Sequence, residues 1–264
     1  MINLKNKNVL IVGGLGLIGQ ASTKKFLDLK ANVVCLDIKQ NNHKDLKIFR
    51  KFDNFYYKKI NISKTENLNK QLKLIFNRYF YPEIFVNCSY PREKDFEKSS
   101  FNKIKLQNYK KHIEIHMNSY VWISKIVAEH MKAKKLRGSI VNLSSIYGIV
   151  AQDMSLYHGT EIRENLTYSV IKTGIIGSTK LIASKFGKYG IRANCICPSG
   201  IERKDKYSKR ISNKKFRKNF LQRVPLKRFA TAEDIANAVI FLSSNKASYI
   251  TGVSLPVDGG WTSI

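Results

Sequence analysis

Short, almost wholly apolar runs alternate along this chain with longer stretches in which apolar residues recur every three or four positions. The first pattern predicts buried strands and the second amphipathic helices. Strands are expected at 8–13, 32–37, 55–60, 84–88, 139–145, 192–197 and 253–257. Between them, helical patterns run from the glycines near the start to Lys30, from a Ser63 cap to Tyr79, and over 106–134. Further helical patterns lie around Tyr168, over a lysine-rich segment at 202–222, and over 232–243. Strict alternation of this kind predicts an α/β fold, a single-domain doubly wound parallel sheet of about seven strands covering 1–264, with ligands held outside the carboxyl ends of the strands. A stretch with neither pattern, 146–167, reads as an extended loop, and 200–224 as a lid over it.

The first strand runs straight into Gly13-Gly14-Leu15-Gly16-Leu17-Ile18-Gly19 and then a helix. Gly13, Gly16 and Gly19 allow a tight turn, close backbone approach to a pyrophosphate, and close helix packing; the helix N-terminus offers its free amides to phosphate. The second strand ends in Asp37, roughly twenty positions on, where a carboxylate accepts hydrogen bonds from ribose hydroxyls and repels a 2′-phosphate. NAD is therefore the expected cofactor, with NADP left open because Lys39 and Lys44 follow closely enough to neutralise Asp37 in part.

Composition narrows the picture. The 264 residues, 43% hydrophobic, suit one large globular domain. The longest apolar run, 9–19, is too short to cross a bilayer and is broken by glycines, and no cleavage site flanks it, so a cytoplasmic protein without membrane partners is expected. Cys35, Cys88, Cys195 and Cys197 lie within strand-like runs and read as reduced, buried thiols. His112 and His116 have helical spacing but no third ligand accompanies them, which favours a helix face over a metal site. The net charge of +28 raises the question of a polyanion partner. Lysine far outnumbers arginine and is spread along helices and loops, so a solvated basic surface is the better reading and nucleic acid is not expected.

Candidate chemistry centres on Tyr168 and Lys172. Four residues apart on a helix, a phenol and an ammonium reach one small volume, and the positive charge lowers the phenol pKa from about 10 toward the range of useful proton exchange. In a chain with 13 tyrosines and so many lysines, roughly two such matches arise by accident. The second match, Tyr90 to Lys94, is followed by Pro91, which biases Tyr90 away from a helix.

Taken together, Gly13-Gly14-x-Gly16-x-Ile18-Gly19, Asp37, Asn87, Asn118, Val141-Asn142-Leu143-Ser144-Ser145, Tyr168-x-x-x-Lys172, Arg192-x-Asn194-x-x-x-Pro198, Thr251-Gly252 and Asp258-Gly259-Gly260 resemble the short-chain dehydrogenase/reductase family over essentially the whole chain. The resemblance implies a Rossmann-like fold and a catalytic tetrad of Asn118, Ser145, Tyr168 and Lys172. Tyr168 would exchange a proton with the substrate oxygen, Ser145 would hydrogen-bond that oxygen, Lys172 would lower the Tyr168 pKa, and Asn118 would hold a water linking Lys172 to solvent. Cofactor contacts are implied at Gly13, Gly16, Leu17, Ile18, Gly19, Asp37, Asn61, Ile62, Asn87, Tyr168, Lys172, Pro198 and Ile201. The chain departs from the family at Val12, Asn61, Cys88-Ser89 and Ser199, and its loop before Tyr168 is longer than usual by about ten residues.

That loop, with Tyr90-Pro91-Arg92, is similar to a narrower subgroup that modifies flagellin and makes sialic-acid-like sugars in bacteria. It implies Arg92, Tyr147 and Tyr90 as substrate-binding residues, with Lys204, Lys206, Lys209, Arg210, Lys214 and Lys215 on the lid, and an anionic sugar-type substrate. Two other functions compete: a sugar-nucleotide epimerase or dehydratase, and a non-enzymatic dinucleotide-binding protein. The family resemblance also implies a homodimer or homotetramer.

Overall fold

A computed structural model of the chain describes residues 1–93, 95–203 and 213–264. Seven strands, β1 (Asn8–Val12), β2 (Asn32–Asp37), β3 (Phe55–Lys59), β4 (Ile84–Asn87), β5 (Gly138–Leu143), β6 (Ile191–Pro198) and β7 (Ser254–Val257), form one parallel sheet in the order β3-β2-β1-β4-β5-β6-β7. Strand order reverses beside β1, whose neighbours are β2 and β4. The crevice at this switch point opens above Val12 and Asn87, which lie in register.

Both faces of the inner strands are dry, and the strand period divides them. Leu10, Val12, Val34, Leu36, Phe85 and Ile140 join a core with α2 (Leu68–Arg78), α4 (Ser119–Ala133) and α5 (Leu166–Phe186). Their strand neighbours Val9, Ile11, Val33, Cys35, Val86 and Val141 point the other way, into a core with α1 (Leu17–Asp28) and α7 (Ala232–Ser243). A strand buried on both faces has no need of polar alternation, which is why the runs read as continuous in the sequence.

Most ends shift by a residue, and three differences bear on the site. Ser63 does not cap α2: a short 3-10 turn, Thr65–Asn67, intervenes, and the Ser63 hydroxyl donates instead to the Ile115 carbonyl at 3.1 Å. β5 stops at Leu143, leaving Ser144 and Ser145 beyond the sheet. The helical pattern at 106–134 is not one α-helix: α3 (Leu106–His112) passes through a π-helical turn, Ile113–Asn118, before α4 begins. Within 202–222, helix α6 covers Lys214–Gln222, and Lys204, Lys206, Lys209 and Arg210 lie outside the described residues. Lys94 is also outside them.

The extended loop is tied down at both ends. Gln152 Nε2 donates to the Asn165 carbonyl at 2.8 Å and to Ser169 Oγ at 2.9 Å, while its Oε1 accepts from the Asn165 amide and the Tyr157 hydroxyl, each at 3.0 Å. Ile146, Leu156 and Tyr157 of the loop enter an aromatic cluster with Phe216, Phe220, Phe229 and Trp261, so loop, α6 and chain end share a satellite core. Among the described residues no helix is long and apolar enough to cross a membrane, and no group of three or more His, Cys, Asp or Glu could hold a metal ion.

Candidate active site

The turn after β1 is shaped by contacts that only glycine allows. Gly13 has φ +72°, and a Cβ there would lie 2.6 Å from backbone atoms of Ser89, on the far side of the switch point. At Gly19 a Cβ would come within 2.0 Å of the Gly13 carbonyl oxygen. Gly16 stands at the N-cap of α1 with no side chain bonded to the helix amides, so the first-turn N–H groups of Leu17, Ile18 and Gly19 sit at an uncapped positive end. A cradle without Cβ atoms, ending in an uncapped helix, fits a dinucleotide pyrophosphate.

Asp37 is 9% exposed, and its carboxylate is held by the Leu15 amide at 3.0 Å and the Lys39 amide at 3.3 Å. The Lys39 ammonium is committed elsewhere, to Asp45 at 2.6 Å and the Leu15 carbonyl at 2.8 Å. Among the described residues no lysine forms an ion pair with Asp37. Asn87 ends β4: its Oδ1 accepts from the Ser89 amide and hydroxyl, while its buried Nδ2 has no protein partner among the described residues. Asn61 Oδ1 accepts from the Ser63 amide at 3.0 Å, and the Ile62 side chain is spent in the core layer behind β2. Pro198 closes β6, and Ile201 is half-buried and bridges to Ala230.

Lys172 is the most unusual group in the crevice. It is 3% exposed, and its ammonium donates to the Leu143 carbonyl at 3.0 Å. Around it stand the rings of Tyr120, Tyr168 and Tyr90, with centroids 5.4, 5.6 and 5.7 Å from Nζ. Burial pulls its pKa from 10.5 down to about 8, a shift that the thiols of Cys195, Cys197 and Cys88 oppose. Burial likewise pushes the Cys195 and Cys88 thiols up to about 12 and the Cys197 thiol up to about 11, so these three stay protonated.

α5 is held against the end of β5 by backbone contact. Ser144 Oγ donates to the Lys172 carbonyl at 2.8 Å, and a Cβ at Gly148 would lie 2.9 Å from that same carbonyl. Ser145 is buried, and its Oγ accepts from the Tyr147 amide at 3.2 Å, which leaves its own O–H to donate. Tyr168 meets Tyr90, Tyr147 and Phe96 edge to face, at centroid distances of 6.2, 6.4 and 6.5 Å. The Arg92 guanidinium stacks on Tyr90 at 5.2 Å. Tyr90, Tyr147 and Arg92 are thus gathered around the Tyr168 ring.

Asn118 is not. It lies on the solvent stripe of its helix with Glu114 and Trp122, four residues to either side. The inward stripe carries His112, His116 and Tyr120, and it is His116 whose ring packs on Tyr90 at 5.1 Å and Tyr120 at 5.8 Å, within the cage around Lys172. The π-helical turn widens the helix between His112 and Ser119, so a register counted at 3.6 residues per turn fails there. His116 was visible in the sequence only through its spacing from His112; Phe96 and Tyr120 carried no signal beyond hydrophobicity.

Residues 16–262 match the family model described as enoyl-(acyl carrier protein) reductase. The chain is 31% identical over 265 residues to post-translational flagellin modification protein A of Campylobacter coli, covering 98% of this chain and 99% of the relative. It is 32% identical over 262 residues to 3-oxoacyl-[acyl-carrier-protein] reductase FabG of Rickettsia typhi, covering 98% of each. Among solved structures it is similar to a short chain dehydrogenase from Leptospira borgpetersenii serovar Hardjo-bovis with bound NAD+, with a TM-score of 0.84 and 29% identity, covering 98% of this chain and 94% of that one. With nearly the whole sequence inside one family model, and the glycine turn and the Tyr168–Lys172 helix meeting at a single crevice, the chain belongs to the short-chain dehydrogenase/reductase family of NAD(P)-dependent oxidoreductases.

Proposed function

We propose that the protein oxidises a secondary alcohol, or reduces the corresponding carbonyl, of an anionic sugar derivative used in building a bacterial glycan. The glycine turn and the α1 N-terminus would hold the dinucleotide pyrophosphate, and the nicotinamide, when bound, would supply the hydride chemistry. The protein's own part is proton management. Tyr168 gives a proton to the substrate oxygen or takes one from it, and the free O–H of Ser145 donates to that oxygen as charge develops. Lys172, with a pKa near 8, is still mainly charged at neutral pH and lowers the pKa of the phenol beside it. The observation that carries this reading is that ammonium: 3% exposed and boxed in by three tyrosine rings, it is costly to bury. Asp37, paired with no lysine among the described residues, favours NAD over NADP.

For the substrate, support comes from the full-length similarity to a flagellin modification protein and from the lining of the entrance. Tyr90 and Tyr147 present flat faces on which a sugar ring can stack, and Arg92 can fork onto a carboxylate or phosphate. The loop at 146–167 and the described residues of the lid, 200–203 and 213–224, are proposed as the walls of this pocket within one domain. Trp122, Val170 and Leu181, exposed on α4 and α5, support a homodimer or homotetramer formed through these helices, which a sedimentation mass of one chain would overturn.

A second reading, reduction of a 3-oxoacyl thioester, is favoured by the equally high identity to 3-oxoacyl-[acyl-carrier-protein] reductases. Following reduced-nicotinamide absorbance with NAD and NADP against phosphorylated, nucleotide-linked and carboxylated sugars, and against an acetoacetyl thioester, separates the two. Turnover of an anionic sugar that falls in Arg92→Ala is the expected result; turnover of the thioester alone would replace the sugar reading.

A further inference from the structure

The mechanism above leaves a buried histidine pair unused. His116 is fully buried and His112 is 1% exposed, and neither ring has a hydrogen bond from a protein group among the described residues. Buried imidazoles normally bond at both nitrogens, so two adjacent ones without such bonds call for a partner. A charged group stands at each end of the pair. His116 packs edge-on against Tyr90, and both it and Tyr90 border the cage around the Lys172 ammonium. On the other side, His112 Nε2 lies 3.4 Å from Asp95 Oδ1, within ion-pair range but outside hydrogen-bond geometry, and the Asp95 side chain is 37% exposed. The row therefore runs from solvent at Asp95, through His112 and His116, to Lys172.

We propose that His116 is a positioning residue for Lys172: a ring nitrogen faces the ammonium through one water and keeps it charged beside Tyr168, while His112 and Asp95 orient the His116 ring from behind. The assignment rests on the Tyr168–Lys172 reading given above. Burial and the Lys172 charge both hold His116 well below the ordinary histidine range, so it is neutral and has one acceptor nitrogen to offer an ammonium. The groups that face the pair from other elements are Tyr168 and Lys172 on α5, Tyr90, Asp95 and Phe96 in the segment after β4, and Cys88, Cys195 and Cys197 around the ammonium. None of the thiols is ionised at neutral pH, so none of them offers the ammonium an anion, and a neutral His116 nitrogen is an acceptor bordering the same cage. Glycine at 174 helps bring the π-helical turn this close to α5: a Cβ there would lie 2.4 Å from Met117 Sδ.

The test needs no substrate. Titrating phenolate absorbance in each variant and subtracting its Tyr168→Phe counterpart isolates the Tyr168 midpoint. His116→Phe keeps a ring but removes both nitrogens, so Lys172 loses its proton at lower pH and the Tyr168 midpoint should rise by about one pH unit. His116→Asn, which restores an acceptor, should return it most of the way. A His116→Phe midpoint equal to the parent's overturns the assignment. Lys172→Met is the control for the underlying reading: if it fails to raise the midpoint, the Tyr168–Lys172 coupling itself is wrong. Should His116→Phe not fold, nitrogen NMR of the parent supplies the answer, because the His116 ring signals should move on Lys172→Met, and unchanged signals would again overturn it.

Discussion

The α-carbon of Gly19 rests against the carbonyl oxygen of Gly13, so closely that a Cβ at Gly19 would sit 2.0 Å from it. The contact sets where the first turn of α1 begins and therefore where its free amides point. Gly19→Ala must push the helix off the turn, at an overpacking cost of about 1–3 kcal/mol. NADH affinity, followed by fluorescence of the bound cofactor, should fall more than about tenfold. Gly177 is the internal contrast: it lies within α5, and a Cβ there meets nothing within 4 Å. Gly177→Ala should leave cofactor binding alone and stabilise the chain by about 0.5–1 kcal/mol through helix propensity, read as a raised denaturation midpoint.

Asp37 and Lys39 are neighbours that do not neutralise each other, because Lys39 is bound to Asp45. The carboxylate charge is thus left to act on the cofactor. Asp37→Ser should remove the repulsion of a 2′-phosphate and shift the NADPH to NADH affinity ratio by about tenfold or more toward NADPH. Asp45→Asn should shift the ratio the same way: it removes a negative charge and releases the Lys39 ammonium, which can then turn toward Asp37 and favour NADPH. Binding titrations with both reduced cofactors check the pair of outcomes.

Lys172 carries a stability cost that a catalytic role would explain. Its pKa is about 8 in the folded chain against 10.5 for an ordinary lysine, so between these values the unfolded chain binds the extra proton and stability rises with pH. Below about pH 8 the full penalty is present, worth about 3 kcal/mol by the shift. Lys172→Met removes it but strands the Leu143 carbonyl, at about 1–3 kcal/mol. The variant should therefore match or exceed the parent in thermal midpoint at pH 7, lose that advantage as pH rises from 8 toward 10.5, and lose about a hundredfold or more in turnover. Parent turnover should also fall as pH passes about 8, if the ammonium serves Tyr168.

Which of these features the sequence announced follows from the range of the forces involved. β2 and α7 fall on the residues their patterns predict, Asn32–Asp37 and Ala232–Ser243. In both, local signals suffice: a continuous apolar run in one, and in the other a capping box in which the Thr231 hydroxyl accepts from the Asp234 amide at 3.1 Å and Asp234 accepts from the Thr231 amide at 2.7 Å. Ser63 has the same local look of a cap, yet its hydroxyl is taken by Ile115, 52 residues away. The outward position of Asn118 and the inward position of His116 have a similar origin. A π-helical turn leaves no mark in hydrophobic periodicity, because only the packing of α5 at Gly174 against Met117 makes it visible. The engagement of Lys39 with Asp45 is likewise a choice among several nearby cations, made by the fold around His43–Asp45.

Besides its direct contacts at Tyr147 and Gln152, the extended loop is tied to α6 and the chain end through an aromatic stack. Phe220 of α6 lies between Phe229, 4.7 Å away and inclined by 13°, and Trp261, 4.8 Å away and inclined by 25°. Phe216, one turn earlier, meets Tyr157 of the loop at 5.9 Å. A Cβ on Gly200 would strike both Phe220 and Phe229 at under 3 Å, so the same stack fixes the chain just past β6. Removing the central ring should therefore do two separable things. Phe220→Ala costs about 3–5 kcal/mol as a buried aromatic truncation, seen in denaturant unfolding. It also lets α6 and the loop move apart, which raises KM for the substrate while NADH affinity, set at the glycine turn on the other side of the crevice, stays within about twofold. Phe220→Leu, which refills most of the volume, should recover the greater part of both losses. Equal loss of substrate and cofactor affinity in Phe220→Ala would show instead that the stack supports the whole crevice and not its lid.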